Sequence, residues 1–364
     1  MVGAPAGIAQ LVDRMHAARA GRSSLQIVGG GTKAFYGEPP RGEPLSMRDL
    51  TGITSYEPSE LVVTARAGTP LAELERALAA KGQCLPFEPP RFAAGGTVGG
   101  MVASGLAGPS RAAVGALRDY VLGLTLLDGR GELLTFGGQV MKNVAGYDVS
   151  RLIAGSWGVL GVICEVSLKV LGAPAVTATL EYEWDEGRAL KEMAHWRAQP
   201  VPLQASAYYQ DRLRIRLAGS RAAVLEARAR LGGETMDQEG AFDFWESVRD
   251  QRHEFFAPGA LELEQGTALW RLSVPPTAPP LSLVGRQFIE WGGAQRWCRT
   301  PTPAAEVRAA AASAGGHATL VRAADKSAGA FTPLSGELMR IHRALKTAFD
   351  PERILNPGRL YADL

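Results

Sequence analysis

The sequence predicts an α+β protein in unlike parts: a glycine-rich N-terminal half, a smaller mixed α+β domain, and a C-terminal tail that returns to the first half. Three observations predict it. Short apolar runs of strand length alternate with amphipathic helical stretches up to Gly172. Clusters of glycine interrupt those runs at Gly29–Gly31, Gly95–Gly100 and Gly155–Gly161. Beyond Gly172 the glycine density falls and Trp, Arg and Glu become more frequent. The expected boundaries are 1–172, 173–331 and 332–364.

Each element follows from local chemistry. Ile8 to Ala20 reads as a short amphipathic helix, and Leu25–Val28 as a buried strand that stops at Gly29. Leu61–Ala65 is a second strand. Thr69-Pro70 then opens a helix, with threonine as N-cap, proline in the first turn and Gly82 beyond the last turn. Val121–Leu127 and Glu132–Phe136 flank Asp128-Gly129, which reads as a tight hairpin turn. Val149 to Ala154 is helical and Gly161 to Val170 alternates as a strand. In the second part, Ala205–Tyr209 and Leu213–Leu217 read as strands and Pro275–Pro280 as a linking loop. A helix around Leu338–Phe349 precedes the tail Leu355-Asn356-Pro357-Gly358-Arg359.

Composition excludes several classes. The 364 residues are 46% hydrophobic and 21% charged, with a net charge of +2, so no field draws nucleic acid or an anionic membrane surface. Cys84, Cys164 and Cys298 lie far apart with no Cys-x-x-Cys spacing, which argues against a zinc or iron–sulfur site in this chain and for reduced thiols. No signal peptide is evident, and the uncharged stretch Ala93–Ala107 is too short and glycine-rich to span a bilayer.

The glycine clusters carry the functional argument. Glycine lets backbone N–H groups approach a ligand closely, and successive exposed N–H groups form a nest for phosphate oxygens. Gly29-x-Gly31-x-x-Ala34, with Asp49 downstream, formally matches a dinucleotide fingerprint. That fingerprint needs a helix opening from the loop, whereas Pro39, Pro40 and Pro44 follow, each costing a helix about 3 kcal/mol. Gly-Lys-Ser/Thr is also missing, so a P-loop fails. Gly95-Gly96-Thr97-Val98-Gly99-Gly100 suits neither strand nor helix by propensity, with about 1 kcal/mol lost per helical glycine. Its apolar flanks, Met101, Val102 and Leu106, predict burial, and buried irregular backbone needs partners for its amides. An extended phosphorylated cofactor would supply them.

These residues resemble a known family. Val28–Lys33, Gly95–Gly100, the block Met141-Lys142-Asn143-Val144-Ala145-Gly146-Tyr147-Asp148, Gly155–Gly161 and the terminal Leu355–Arg359 are similar to the FAD-linked oxidases of the vanillyl-alcohol-oxidase, or PCMH, type. Within it, the 2-hydroxy-acid branch and the FAD-binding subunit of glycolate oxidase are most similar. The resemblance implies a two-subdomain FAD-binding domain followed by a cap-like domain. It implies that Gly29, Gly30, Gly31, Thr32 and Lys33 wrap the pyrophosphate. Gly95, Gly96, Thr97, Gly99 and Gly100 would line its other side and the ribityl chain. Ala103, Ser104 and Gly108 would approach the flavin, Gly161, Val162 and Ile163 the adenine end, and Asn356 the isoalloxazine ring. Trp157 replaces a glutamate common in relatives. No histidine or cysteine occupies the positions that carry a covalent flavin, so the FAD is expected to be non-covalent.

The catalytic residues are unknown at this level. Relatives that oxidise 2-hydroxy acids alone cluster histidines with an acid around a metal, whereas His16, His195, His253, His317 and His342 are isolated here. No metal is therefore expected. His317, Arg322 and Lys142 remain weak candidates, with His317 read chiefly as a hydrogen-bonded interior residue. Arg271, Arg299 and Arg322 could clamp a carboxylate but read more simply as solvated, and Trp270 and Trp291 as core or interface aromatics. The resemblance implies a subunit of a glycolate (2-hydroxy acid) oxidase complex, carrying electrons through its flavin. A paralogous FAD-containing catalytic subunit and an iron–sulfur subunit would be its partners. The expected location is cytoplasmic, with any inner-membrane attachment made through partners. Two rival readings remain: an autonomous FAD-dependent dehydrogenase, told apart by turnover of the isolated chain, and a scaffold subunit, told apart by a colourless preparation.

Overall fold

The computed structural model describes residues 6–138, 148–256, 259 and 263–364. The block from Met141 to Tyr147, and with it the candidate Lys142, lies outside the described residues.

The chain begins with helix α1 (Ala6–Gly21) and strand β1 (Leu25–Val28), which pairs in parallel with β2 (Glu43–Ser46), Leu25 opposite Glu43. Turns and bends, not a helix, connect them, as the prolines dictate. Next come β3 (Ile53–Glu57), β4 (Val62–Arg66), α2 (Leu71–Ala79), β5 (Gln83–Cys84), α3 (Val98–Ser104) and α4 (Arg111–Val114). Strands β6 (Val121–Leu127) and β7 (Leu133–Gly137), helix α5 (Val149–Ile153), β8 (Val162–Lys169) and β9 (Leu171–Gly172) complete the first half. Among the described residues an antiparallel sheet runs in the order β3-β4-β8-β6-β7. Val162, Cys164, Val166 and Leu168 of its central strand are fully buried on one face, which is the alternation that β8 shows in sequence.

The second part holds β10 (Val176–Glu183), α6 (Glu186–Arg197), β11 (Leu203–Tyr209), β12 (Arg212–Gly219), α7 (Arg221–Leu231), β13 (Glu234–Thr235) and α8 (Gln238–Arg249). Strands β14 (Ala268–Ser273), β15 (Arg286–Glu290) and β16 (Gln295–Thr300), helix α9 (Ala304–Ser313) and β17 (His317–Arg322) follow. They form one antiparallel sheet, β13-β10-β12-β11-β15-β16-β14-β17. Helix α10 (Gly336–Phe349) leads into the tail, and Leu355 bridges back to Leu25. A shared core, with Tyr36 and Leu106 from the first half against Trp245, Phe255, Phe288 and Trp297, fixes the two parts together.

Three local expectations are corrected. Thr69 does not cap α2: Pro70 stands at the N-cap, and the buried Thr69 hydroxyl instead accepts from the Gly52 amide at 2.9 Å. Asp128-Gly129 is not a two-residue turn. The hairpin closes through Asp128 to Glu132, with the Asp128 carboxylate accepting from the amides of Arg130 (2.8 Å) and Glu132 (2.9 Å). The second glycine segment is partly helical. Thr97 caps α3 by accepting from the Gly100 amide at 3.2 Å. Gly99 lies so close to Ala67 that an added Cβ would meet the Ala67 Cβ at 2.6 Å. Close approach, not conformational freedom, explains that glycine, and tertiary contact overrides its poor helix propensity.

Candidate functional site

Loop, helix and tail enclose a cavity at the C-terminal end of β1. From β1 the chain enters Gly29–Lys33, a turn in which the Ala34 amide donates to the Gly31 carbonyl at 3.1 Å and Tyr36 to Lys33 at 3.1 Å. Among the described residues, the amides of Gly30, Gly31, Thr32 and Lys33 have no acceptor in the chain. Gly31 has φ of +72°, and the direction its Cβ would take is open space. Gly30, in contrast, is pressed onto the second glycine segment, where an added Cβ would lie 1.7 Å from the Gly95 carbonyl oxygen.

The second segment behaves differently. Val98 donates to the Thr69 carbonyl at 2.9 Å and Gly99 to Ala67 at 2.7 Å, so these amides are engaged within the chain. Among the described residues the amides of Gly95, Gly96 and Thr97 have no acceptor in the chain, so the sequence argument that such amides require a ligand applies to the first loop and to Gly95–Thr97, and not to Val98–Met101.

The tail forms the third wall. The Asn356 side chain accepts from the Ile27 amide (2.7 Å) and donates to the Trp157 carbonyl (2.7 Å), while its own amide donates to Leu25 at 2.9 Å. It therefore ties β1 to the Gly155–Gly161 segment. Arg359, 6% exposed, donates to the carbonyls of Lys33 (3.2 Å), Ala34 (3.3 Å) and Glu38. Its guanidinium lies 5.1 Å from the Trp157 ring, whose other neighbour is Tyr36, stacked at 5.2 Å and 10°. Trp157, at φ of +54°, is thus a packed wall of the cavity. Behind the tail, the fully buried Lys346 ammonium donates to Asp350 (2.8 Å) and to the carbonyls of Val159 (2.8 Å) and Leu355 (2.7 Å). Asp350 accepts in turn from the Leu355 amide at 2.8 Å.

Of the residues singled out from sequence, Gly29, Gly30, Gly31, Thr32, Lys33, Thr97, Gly99, Gly100, Ala103, Ser104, Gly161, Ile163 and Asn356 line this cavity. Gly95 and Gly96 stand outside the lining, Gly95 backing Gly30. Val162 is buried within β8, and Gly108 lines a separate, smaller cavity. Sequence reasoning missed Ile27, Met47, Ala67, Trp157, Gly158 and Arg359 as lining residues. The conspicuous signal among them was Trp157, flagged as a departure without a role.

The electrostatics favour an anion. Lys33 and Arg359 line the cavity and, among the described residues, no carboxylate does. Burial pushes the Lys33 ammonium down to about 8, with Asp250 opposing, and the Arg359 guanidinium down to about 10. Buried cations in the same lining as unengaged amides fit a diphosphate, and Ile27, Met47, Ile163 and Trp157 offer apolar surface for flat rings. The lining contains no histidine or cysteine.

The catalytic candidates do not converge. His317 stands exposed at the start of β17 opposite Ser273, and no hydrogen-bond partner meets its ring among the described residues, so the interior reading is corrected. The Arg322 guanidinium lies 3.8 Å from the Phe35 ring centroid. Arg299 is 5% exposed and donates to the Phe255 carbonyl at 3.5 Å, so it is not a solvated arginine. Trp270 and Trp291 are buried, as expected of core aromatics. Among the described residues no group of His, Cys, Asp and Glu could hold a metal, and no helix is long and apolar enough to cross a membrane.

Comparison with known proteins adds an independent line. A family model described as an FAD binding domain matches residues 1–137. Glycolate oxidase subunit GlcE of Escherichia coli (strain K12) is 46% identical over 355 residues, covering 97% of each chain. Glycolate oxidase subunit GlcD of Bacillus subtilis (strain 168) is 32% identical over 154 residues, 42% of this chain and 33% of that one. Among solved structures, an alkyldihydroxyacetonephosphate synthase superposes with a TM-score of 0.61 over 96% of this chain and 75% of its own, at 15% identity, a likeness of fold alone.

Proposed function

The chain belongs to the family of glycolate oxidase subunit GlcE, and on that premise we propose that it is the FAD-binding subunit of a glycolate oxidase complex. It is an oxidoreductase acting on the CH–OH group of 2-hydroxy acids, with its FAD held non-covalently. The observation that supports this most is the row of unengaged amides at Gly30–Lys33, in a cavity with two cations and no carboxylate.

Bound flavin supplies the redox chemistry. The residues supply the rest. The amides of Gly30–Lys33 hold the diphosphate, and Lys33 and Arg359 neutralise it. Thr97, Gly99, Gly100, Ala103 and Ser104 form the wall beside the ribityl chain and the flavin, and Gly161 and Ile163 the wall beside the adenine end. Asn356 holds β1 and the Trp157 segment at fixed separation, so both sides of the cofactor meet a rigid surface. In this reading residues 1–172 are the flavin domain, 173–331 the cap-like domain, and 332–364 the closing tail. The absence of a histidine cluster among the described residues supports a division of labour, with a paralogous subunit carrying the hydroxy-acid chemistry and an iron–sulfur subunit removing electrons. In this reading the complex works in the cytoplasm, with any membrane contact made through partners.

Purification of the chain tests the reading. The expected outcome is a yellow protein whose FAD is released by acid, and which oxidises glycolate slowly until partners are added. A colourless chain that cannot be reconstituted with FAD overturns it, and rapid turnover by the isolated chain replaces it with the autonomous dehydrogenase.

A further inference from the structure

The stretch that follows the Gly29–Lys33 cradle is gripped by cations from distant parts of the chain. Lys326 lies on the segment after β17, and its ammonium donates to the carbonyls of Phe35 (2.6 Å), Gly37 (3.3 Å) and Val321 (3.0 Å). Arg359 takes the carbonyls of Lys33, Ala34 and Glu38. Between them these two side chains engage every carbonyl from Lys33 to Glu38 except that of Tyr36. At the entry to the cradle, the Arg48 guanidinium donates to the Gly29 carbonyl at 3.2 Å. The end of β17 adds Arg322, 3.8 Å from the Phe35 ring centroid, and the Glu38 carboxylate accepts from the Ala330 amide.

A trans peptide unit points its carbonyl and the following N–H in opposite directions. Fixing carbonyls on either side of Gly30–Lys33 therefore fixes the turn between them, and with it the direction of its unengaged amides. An anion nest binds best when its N–H groups converge before the ligand arrives. Lys326 stands outside the cavity lining, so it acts on a ligand there only through the loop. The fold also holds this cation at a cost. Burial, with Arg359 and Arg322 repelling and Glu38 attracting, pushes the Lys326 ammonium down to about 8. The adjacent Asp325 carboxylate is turned instead to Ser327, accepting from its amide and its hydroxyl (2.7 Å each). A tie serving stability alone gains nothing from a charge that burial disfavours. A loop built for an anion gains from that charge's field.

We propose that Lys326 is a positioning residue for the cofactor: by holding the Phe35 and Gly37 carbonyls it presets the Gly30–Lys33 amides and ties the second part of the chain to cofactor binding. The inference rests on the flavin-subunit reading for the identity of the ligand and deepens it, because a residue outside the cavity then sets cofactor affinity.

Titration of the full chain at pH 7 with FAD, and with inorganic pyrophosphate as a probe of the cradle alone, reads this role. Lys326→Met should weaken both by about tenfold, the worth of one charge-assisted hydrogen bond. Lys326→Arg should recover most of that loss. Arg308→Met is the control. Arg308 on α9 donates to the carbonyls of Ala328 (2.8 Å), Gly329 (2.6 Å) and Phe331 (3.3 Å), so it anchors the same segment without touching the cradle loop. Its loss should lower unfolding stability while leaving FAD affinity within about twofold of wild type. By linkage, FAD should also slow hydrogen exchange at Ser327 to Ala330 in the wild-type chain, a readout that needs no variant. The inference is overturned if Lys326→Met binds both ligands as wild type does, or if Arg308→Met weakens FAD as much as Lys326→Met. Exchange at Ser327 to Ala330 that ignores FAD overturns it as well. A chain that binds pyrophosphate through Lys326 but takes no FAD keeps the clamp and refutes the flavin reading, and one that binds neither refutes both.

Discussion

The first glycine loop and the helical end of the second glycine segment are both glycine-rich and have opposite physical roles. In Gly29–Lys33 the amides of Gly30 to Lys33 are left without acceptors and Gly31 faces open space. In the second segment the amides of Gly95, Gly96 and Thr97 also lack acceptors among the described residues, but from Val98 onward the amides are engaged: Val98 and Gly99 donate to backbone carbonyls, Gly100 to its cap, and Gly99 is a point of contact with Ala67. The first loop is shaped for something not in the chain, and the helical end of the second segment is a surface that shapes it. Glycine content alone therefore does not mark a ligand cradle. The state of the amides does.

Substitutions should separate the two roles. The largest effect is expected at their point of contact, Gly30→Ala, because the new Cβ would overlap the Gly95 carbonyl at 1.7 Å and backbone must move. FAD binding is expected to be lost, as read by the flavin spectrum of the purified variant. Next is Lys346→Met, which leaves Asp350 buried without its cation. Breaking such a pair costs about 3–5 kcal/mol, measurable by denaturant unfolding, and should release the tail that closes the cavity. Gly99→Ala should cost about 1–3 kcal/mol of stability by overpacking against Ala67. Its amide contribution to the cofactor is nil, so FAD should bind the folded fraction with near-normal affinity. If instead Gly99→Ala lost FAD at unchanged stability, the assignment of roles would be reversed.

The smallest effect is a pH dependence. In the free protein burial holds Lys33 at about 8, below the ordinary 10.5. Its charge is needed for the diphosphate, so FAD affinity should be flat below pH 8 and fall above it, as the free protein loses that proton. The stability of the FAD-free chain should move the opposite way, rising between pH 8 and 10.5, because the unfolded state binds the proton more tightly there. Lys33→Met should lower FAD affinity and flatten its pH dependence, and should remove the Lys33 share of the stability rise, leaving that of Lys326, which burial also lowers to about 8.

The sequence made the first half legible where apolar runs were bounded by turn chemistry, as in β1, β6 and β8. The second sheet was largely illegible for a physical reason. Every residue of β16, Gln295-Arg296-Trp297-Cys298-Arg299-Thr300, is buried, so polar side chains do not alternate outward. Arg296, fully buried, donates to the carbonyls of Gly293 (2.6 Å) and Ala278 (2.9 Å), a solution invisible without the fold. Helix α3 was hidden because Gly99 answers to Ala67, more than thirty residues earlier. In the site, loop residues were readable from their glycines, whereas Arg359 and the Lys346–Asp350 pair act through carbonyls distant in sequence. Only the order of that pair hinted at burial: lysine four residues before an acid near a helix C-terminus opposes the helix dipole on an exposed face.

Backbone hydrogen exchange, with and without FAD, tests the central claim most directly. Amides from Gly30 to Lys33 should exchange rapidly in the free chain and become strongly protected when FAD is added. Those of Val98 to Met101 should be protected in both states. Saturation with FAD that left the first loop exchanging freely would contradict the account.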